Sequence, residues 1–327
     1  MRTRPTTRSL ATVAALAAFA LAGCGGGSST PASDGGPAPV QWGNAETVAA
    51  DRAGAVKAGA APSSVTSACT AAKSPKIAAI KKAGTLNWAI GISPPFGFTG
   101  TSSKWQGVEA ENAVELADIL GVKPNIVAYD YSVMTTALQS DKADIVGAQL
   151  FDTPERRQVI DFSQPYYRSG QVYYVLESSP YNTIDDLNKS SIKFVYGTGG
   201  AQGGLAKKYT PAAHSQEVAL QGQLIPYQFL ATTRADATMG EAAAYPVLAK
   251  KFTNPRVVAI GKNGRITADL PAQAETLDPF NVAFGLPKGD AGWKSCVDAW
   301  VSWGTASGGP LGARVDYWLK NQDKAAG

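Results

Sequence analysis

From Ile77 onward, short apolar runs alternate with stretches of helical period, and this alternation restricts the fold more than any other feature of the chain. Leu86–Ile90 is a strand-length apolar run, broken by Ser93-Pro94-Pro95. In Val108–Leu120 the apolar positions Ala110, Ala113, Val114, Ala117 and Leu120 recur at the spacing of a helix lying on a sheet, and Gly121 ends it. Pro124–Ala128 predicts a strand, Val133–Leu138 a short helix and Ala143–Gly147 another strand. Thr153-Pro154-Glu155 then opens a helix with Thr as N-cap, Pro at the first helical position and an acid in the first turn. Ile192–Tyr196, the Gly-rich loop after it and the helix beyond begin a second unit of the same style. Alternation of this kind predicts an α/β layered fold. Near the end, Trp293, Cys296, Trp300 and Trp303 share a helical face, read as packing.

The first residues set the compartment. Arg2, Arg4 and Arg8 precede the apolar run Leu10–Leu21, which is too short to span a bilayer but the right size for a signal peptide. Leu21-Ala22-Gly23-Cys24 looks like a lipobox, so residues 1–23 are expected to be removed and Cys24 to carry lipid. Residues 24–72 follow as a tether and N-terminal extension; Gly25–Ala38 is Gly, Ser, Pro and Ala, and Glu46–Lys57 a weak helix. The chain holds 30 Lys and Arg against 26 Asp and Glu; without the three signal-peptide arginines the balance is 27 to 26. A near-neutral mature chain points to no nucleic-acid partner. Apart from Cys24, two cysteines remain, Cys69 and Cys296. In an oxidising compartment they point to one disulfide, with two separately buried thiols as the alternative. A single histidine, His214 in an expected loop, leaves no zinc site and no Ser-His-Asp or Cys-His pattern.

Several motifs occur in order. Lys76–Leu86 is a lysine-rich turn into a first strand, followed by Pro94-Pro95-Phe96 and by Gly107-Val108-Glu109-Ala110-Glu111 at a helix start. Ala137–Ile145 precedes Thr153-Pro154-Glu155-Arg156-Arg157, and Ile160-Asp161-Phe162-Ser163-Gln164-Pro165-Tyr166-Tyr167 follows it. Over about residues 74–321 the chain resembles family 3 of the extracellular solute-binding proteins, the polar amino-acid type. The resemblance implies a two-lobed type II periplasmic-binding fold. Residues 73–174 with 282–327 would form one lobe and 175–281 the other, with extended crossovers near 170–175 and 281–285.

It also implies a ligand site. Arg156 takes the place of the carboxylate-binding arginine, whose planar guanidinium can make two parallel charged hydrogen bonds. Arg157 reads as a solvated helix face. Tyr196–Gly203 closes a strand on a Gly-rich loop, and the family's use of that loop on the ligand carboxylate carries over to Thr198 and to the backbone N–H of Gly199. The loop departs from a dinucleotide fingerprint, because the third glycine falls on Gln202. In Arg234–Glu241 the last acid, Glu241, matches the ammonium-pairing position, and Asp236 reads as fixing a strand end. Tyr131 and Phe96 match flanking aromatic positions, with a core role for Phe96 as the alternative. Gln149, Leu150 and Phe151 are counted with the pocket. Phe151 stands where a small hydroxyl is usual, Gln149 where Gly or Ser is common, and Ser93 replaces an aromatic before Pro-Pro. The carboxylate end is thus kept, while recognition of an α-amino group is open.

The expected function is an exported, lipid-anchored, monomeric binding protein without cofactor or metal. It would capture a small carboxylate-bearing solute by lobe closure and deliver it to an ABC permease. The rivals are a cyclohexadienyl-dehydratase-like enzyme, with Glu241 as proton donor, and the ligand-binding input of a membrane sensor.

Overall fold

The computed structural model describes residues 59–99, 104–218, 224–266, 271 and 273–322. The expected signal segment, Cys24 and the Gly25–Ala38 and Glu46–Lys57 stretches lie outside the described residues. The described helices are α1 (Ser63–Ala68), α2 (Pro75–Ala83), α3 (Val108–Leu120), α4 (Met134–Gln139), α5 (Pro154–Val159), α6 (Ile184–Leu187), α7 (Gln202–Tyr209), α8 (Ile225–Ala231), α9 (Tyr245–Lys251), α10 (Ala291–Thr305) and α11 (Pro310–Lys320). The strands are β1 (Thr85–Ile90), β2 (Phe98–Thr99), β3 (Trp105–Gln106), β4 (Lys123–Ala128), β5 (Ile145–Val146), β6 (Asp161–Leu176), β7 (Lys193–Gly197), β8 (His214–Val218), β9 (Ala237–Glu241), β10 (Val257–Gly261), β11 (Gly264–Arg265) and β12 (Leu277–Leu286).

One sheet runs in the order β4-β1-β5-β12-β6-β9-β7-β8, with β10 on β6 and β11 on β10. Its two ends are parallel βα units: β4-β1-β5 on one side and β9-β7-β8 on the other. Between them the long antiparallel pair β6 and β12 runs from one end to the other, with register shifts between Leu277 and Phe280 and again between Val282 and Gly285. Buried side chains gather accordingly. Trp88, Leu116, Phe284, Trp293 and Trp300 pack beneath α3, α10 and α11, while Tyr174, Phe194, Tyr227 and Leu248 pack in cores on the other side. We refer to these halves as the first and second lobes.

Local chemistry accounts for the first lobe. Ser74 caps α2 by accepting from the Ile77 N–H at 3.0 Å, and Gly84 closes it in the left-handed region. Asp290 caps two helices at once. Its Oδ1 accepts from the Trp293 N–H at the start of α10, and its Oδ2 accepts from the Ser74 hydroxyl and the Lys76 N–H. A Cβ at Gly292 would lie 1.8 Å from the Lys73 carbonyl, so only glycine lets α10 start this close to the chain entering α2. Tyr166, Phe284 and Trp300 stack with centroids 4.4 and 5.0 Å apart, and such pairs add about 0.5–1.5 kcal/mol each beyond the area they bury. The expected packing role of Trp293, Cys296 and Trp300 holds: all three are fully buried.

Two cross-links tie the ends of this lobe together. Cys69 and Cys296 form a disulfide across 227 residues of sequence, holding α1 on α10. Arg314 of α11 lies buried against α3. Its Nη1 donates to Asn112 Oδ1 at 3.0 Å, its Nη2 to Glu115 Oε2, and its Nε lies 3.5 Å from Glu111 Oε2. The other oxygens of those two acids accept from Trp300 Nε1 at 2.6 Å and Trp318 Nε1 at 2.8 Å. Each carboxylate therefore has the Arg314 cation and a neutral indole donor, and Arg314 has a neutral acceptor in Asn112 besides its two acids. Among the described residues, no helix is long and apolar enough to cross a membrane.

Candidate functional site

The helix start expected at Thr153 forms as read: the Thr153 hydroxyl accepts from the Arg156 N–H and Pro154 occupies the first turn. This cap turns Arg156 into the cleft between the lobes. Its Nη1 donates to the Phe151 carbonyl at 2.8 Å, and its Nη2 crosses to the Gly199 carbonyl of the second lobe at 3.0 Å. Burial pulls its pKa down. Among the described residues, no carboxylate lies within ion-pair distance of this guanidinium. Arg157, by contrast, faces outward and pairs with Asp152.

Across from Arg156, Gly199 has φ +77°, a left-handed conformation that glycine adopts freely. A Cβ there would lie 2.5 Å from Ser132 N and 2.9 Å from the Tyr131 carbonyl carbon, so glycine is what allows the second lobe to touch the Tyr131–Ser132 turn. The Tyr131 hydroxyl donates to the Ala148 carbonyl at 2.6 Å, and the nearby Glu241, Glu109 and Arg156 charges all act on it. Thr198 turns its hydroxyl to the Val218 carbonyl at 3.2 Å, within the second lobe.

The opposite pole of the cleft is a chain of buried polar groups. Gln149 has φ +48° and is 3 % exposed. Its N–H donates to Glu109 Oε1 at 3.1 Å, and the same oxygen accepts from the Tyr166 hydroxyl. The Gln149 side chain then crosses the cleft: Nε2 donates to Glu241 Oε2 at 2.6 Å, while Oε1 accepts from the Ser93 hydroxyl. Ser169, on the strand joining the lobes, donates to the same Glu241 oxygen at 2.9 Å. Burial pushes the Glu109 carboxyl from 4.5 to about 7, against the opposing pull of Tyr166, Gln149 and Asn112. Burial pushes Glu241 to about 8, opposed by Ser169 and reinforced by the Glu109 charge. Such placement stabilises the protonated forms and couples the two groups.

Of the expected site residues, Arg156, Gly199, Tyr131, Gln149 and Glu241 converge on the cleft. The Leu150 side chain packs in the first-lobe core, touching the place where a Gly285 side chain would be. Phe96 is fully buried with its ring 5.3 Å from that of Tyr167, and Phe151 stacks on Phe280 of β12 at 4.8 Å. Asp236 fixes a strand end, accepting from the Lys193 N–H at 2.9 Å. His214, expected in a loop, is the first residue of β8, where it pairs in register with Lys193. Glu109, Tyr166 and Ser169 join the polar chain without having been singled out as site residues. Glu109 was legible only as part of the Gly107–Glu111 helix start, and its distance in sequence from Tyr166 hid the pairing. Among the described residues, no cluster of three His, Cys, Asp or Glu side chains could hold a metal ion.

Comparison with known proteins follows the same lines. The model of the bacterial extracellular solute-binding proteins, family 3, matches residues 86–320. The L-cystine-binding protein TcyJ of Escherichia coli is 34% identical over 122 residues, 36% of this chain. The chain spans about half the length of that relative, 46% of it. The cyclohexadienyl dehydratase of Pseudomonas aeruginosa is 24% identical over 261 residues, 78% of this chain and 90% of that one. Among solved structures, the amino acid ABC transporter substrate-binding protein AbpA of Streptococcus pneumoniae, bound to L-arginine, superposes with a TM-score of 0.62. It is 25% identical, and the match covers 76% of this chain and 98% of that one. The expected two-lobed α/β architecture is the one these neighbours share.

Proposed function

The chain belongs to the bacterial extracellular solute-binding proteins of family 3, and from that premise we propose that it captures a small carboxylate-bearing solute for the permease of an ABC importer. The solute is an amino acid or a compound shaped like one. Residues 73–174 with 282–327 and residues 175–281 act as the two jaws. The mature chain is a monomer held to the membrane by lipid on Cys24 after loss of residues 1–23.

The observation that carries this reading is Arg156. Its guanidinium sits in the interlobe cleft, and among the described residues it bonds only to the neutral carbonyls of Phe151 and Gly199, one on each lobe. A carboxylate entering there gains a bidentate charged contact and draws the lobes together. The cystine- and histidine-binding relatives and the arginine-bound structure support an amino-acid-like solute. A thermal-shift screen of the full chain against amino acids and small carboxylates tests it. A solute bound only by the folded state raises the melting temperature by mass action, and Arg156→Ala should abolish the shift. An equal shift in both proteins would remove the assignment.

A second reading has its own support. The dehydratase match runs over 90% of that enzyme, and a Glu241 carboxyl raised to about 8 can hold a proton to donate at neutral pH. Loss of prephenate on incubation with the protein would make this an enzyme; an unchanged prephenate concentration retires the reading.

A further inference from the structure

A cleft with a guanidinium at one end and a buried carboxylate at the other is matched to a zwitterion only if the carboxylate is free to take a cation. In this protein one of its two oxygens is already taken. Glu241 already receives an amide N–H from Gln149 at 2.6 Å and a hydroxyl from Ser169 at 2.9 Å, both on the same oxygen. The amide does not lie there by accident of rotamer. Its own carbonyl is held by Ser93, its backbone N–H by Glu109, and its φ of +48° is one that a non-glycine residue seldom adopts without compensating contacts. Ser93 and Glu109, both of the first lobe, thus hold the uncharged Gln149 amide against Glu241 of the second.

We propose that Gln149 sets the specificity of the cleft: its side-chain amide stands in for the ammonium of an amino acid, and the site takes carboxylates that lack an α-amino group. The inference rests on the carboxylate-binding reading of Arg156. The chemistry is consistent in charge. Arg156 neutralises the ligand carboxylate, and burial keeps Glu109 and Glu241 disposed to hold protons, so no cation is needed at that end. An amino acid must displace the amide, stranding its donors and acceptor in a buried place.

The test is a thermal-shift titration of the full chain with matched pairs, each α-amino acid beside its desamino acid. Leucine with 4-methylpentanoate, phenylalanine with 3-phenylpropanoate and arginine with 5-guanidinopentanoate are examples. In the native sequence the desamino member should bind at least about tenfold more tightly, the scale of one lost buried hydrogen bond. Gln149→Gly, which fits a positive φ without strain, should shift that preference at least about tenfold toward the amino acid. Gln149→Asn tolerates the same backbone but is one methylene too short for Glu241, so it should shift the preference the same way and guards against a folding defect of the first variant. An amino acid bound more tightly than its desamino partner by the native sequence, with the preference unmoved in both variants, overturns the inference and leaves the solute-binding reading standing. No shift from any member in any of the three proteins overturns both.

Discussion

Replacing Glu109 and Glu241 together by glutamine should remove most of the pH dependence of stability between pH 5 and pH 8. Both acids are buried, with folded values of about 7 and about 8 against 4.5 for the free side chain. The folded protein therefore holds protons that the unfolded chain has released. Stability from these groups is fully present below about pH 4.5 and is lost as pH rises through 7 and 8. Each pKa unit is worth about 1.4 kcal/mol, so either acid alone corresponds to a loss on the order of 3–5 kcal/mol. The two charges interact through Gln149, and the pair titrates as one system rather than as a simple sum. Tyr166, Tyr131, Tyr167, Tyr174, Tyr227 and Arg156 face the pair, and none of them changes charge in this window. Asp161, Asp278 and Asp290 have lowered values and finish titrating below it. Denaturant unfolding at pH 5, 6, 7 and 8 reads the effect directly. The native sequence should lose several kcal/mol across the series, while the double glutamine variant stays nearly flat. Parallel profiles for the two proteins would refute the reasoning, because the buried pair would then carry no excess protons.

Two further outcomes follow from the first lobe. Arg314→Met leaves Glu111 and Glu115 buried without their cation and should cost about 3–5 kcal/mol by denaturant unfolding. Adding Glu111→Gln and Glu115→Gln to that variant should recover part of the loss. Cys69→Ala with Cys296→Ala should cost about 2–5 kcal/mol. With roughly 2–4 °C per kcal/mol for a fold of this size, its melting temperature should fall on the order of 5–15 °C, matched by the native sequence in reductant.

What could be read in advance was local. Val108–Leu120 forms as expected because its apolar spacing, the glycine before it and Gly121 after it all agree. The Thr153-Pro154 start forms as expected because the cap needs only residues within one turn. The failures are of another kind. Nothing in Ser63–Ala68 marks a helix, since a single buried residue, Val65, faces the core, and the segment is placed by its disulfide to α10. Gln149 could be seen as unusual in a position where Gly or Ser is common. Its reach to Glu241, 92 residues on, depends on the lobes meeting, which no local pattern encodes. Leu150 alternates with Gln149 and so faces the core, a consequence of pairing along β12 that only the sheet order reveals.

The course of the chain between Cys69 and Cys296 has a consequence for motion. The second lobe leaves the first along β6 and returns along β12, and the helices at both ends of the described fold, α1 and α11, pack on the first. On the two-jaw reading proposed above, opening and closing is then a swing of a closed excursion about a body that carries both ends of the described fold. Immobilising the molecule through either end should leave the swing free. Reporter pairs for the swing belong on opposite lobes, since a pair at the two ends of the fold would move as one piece.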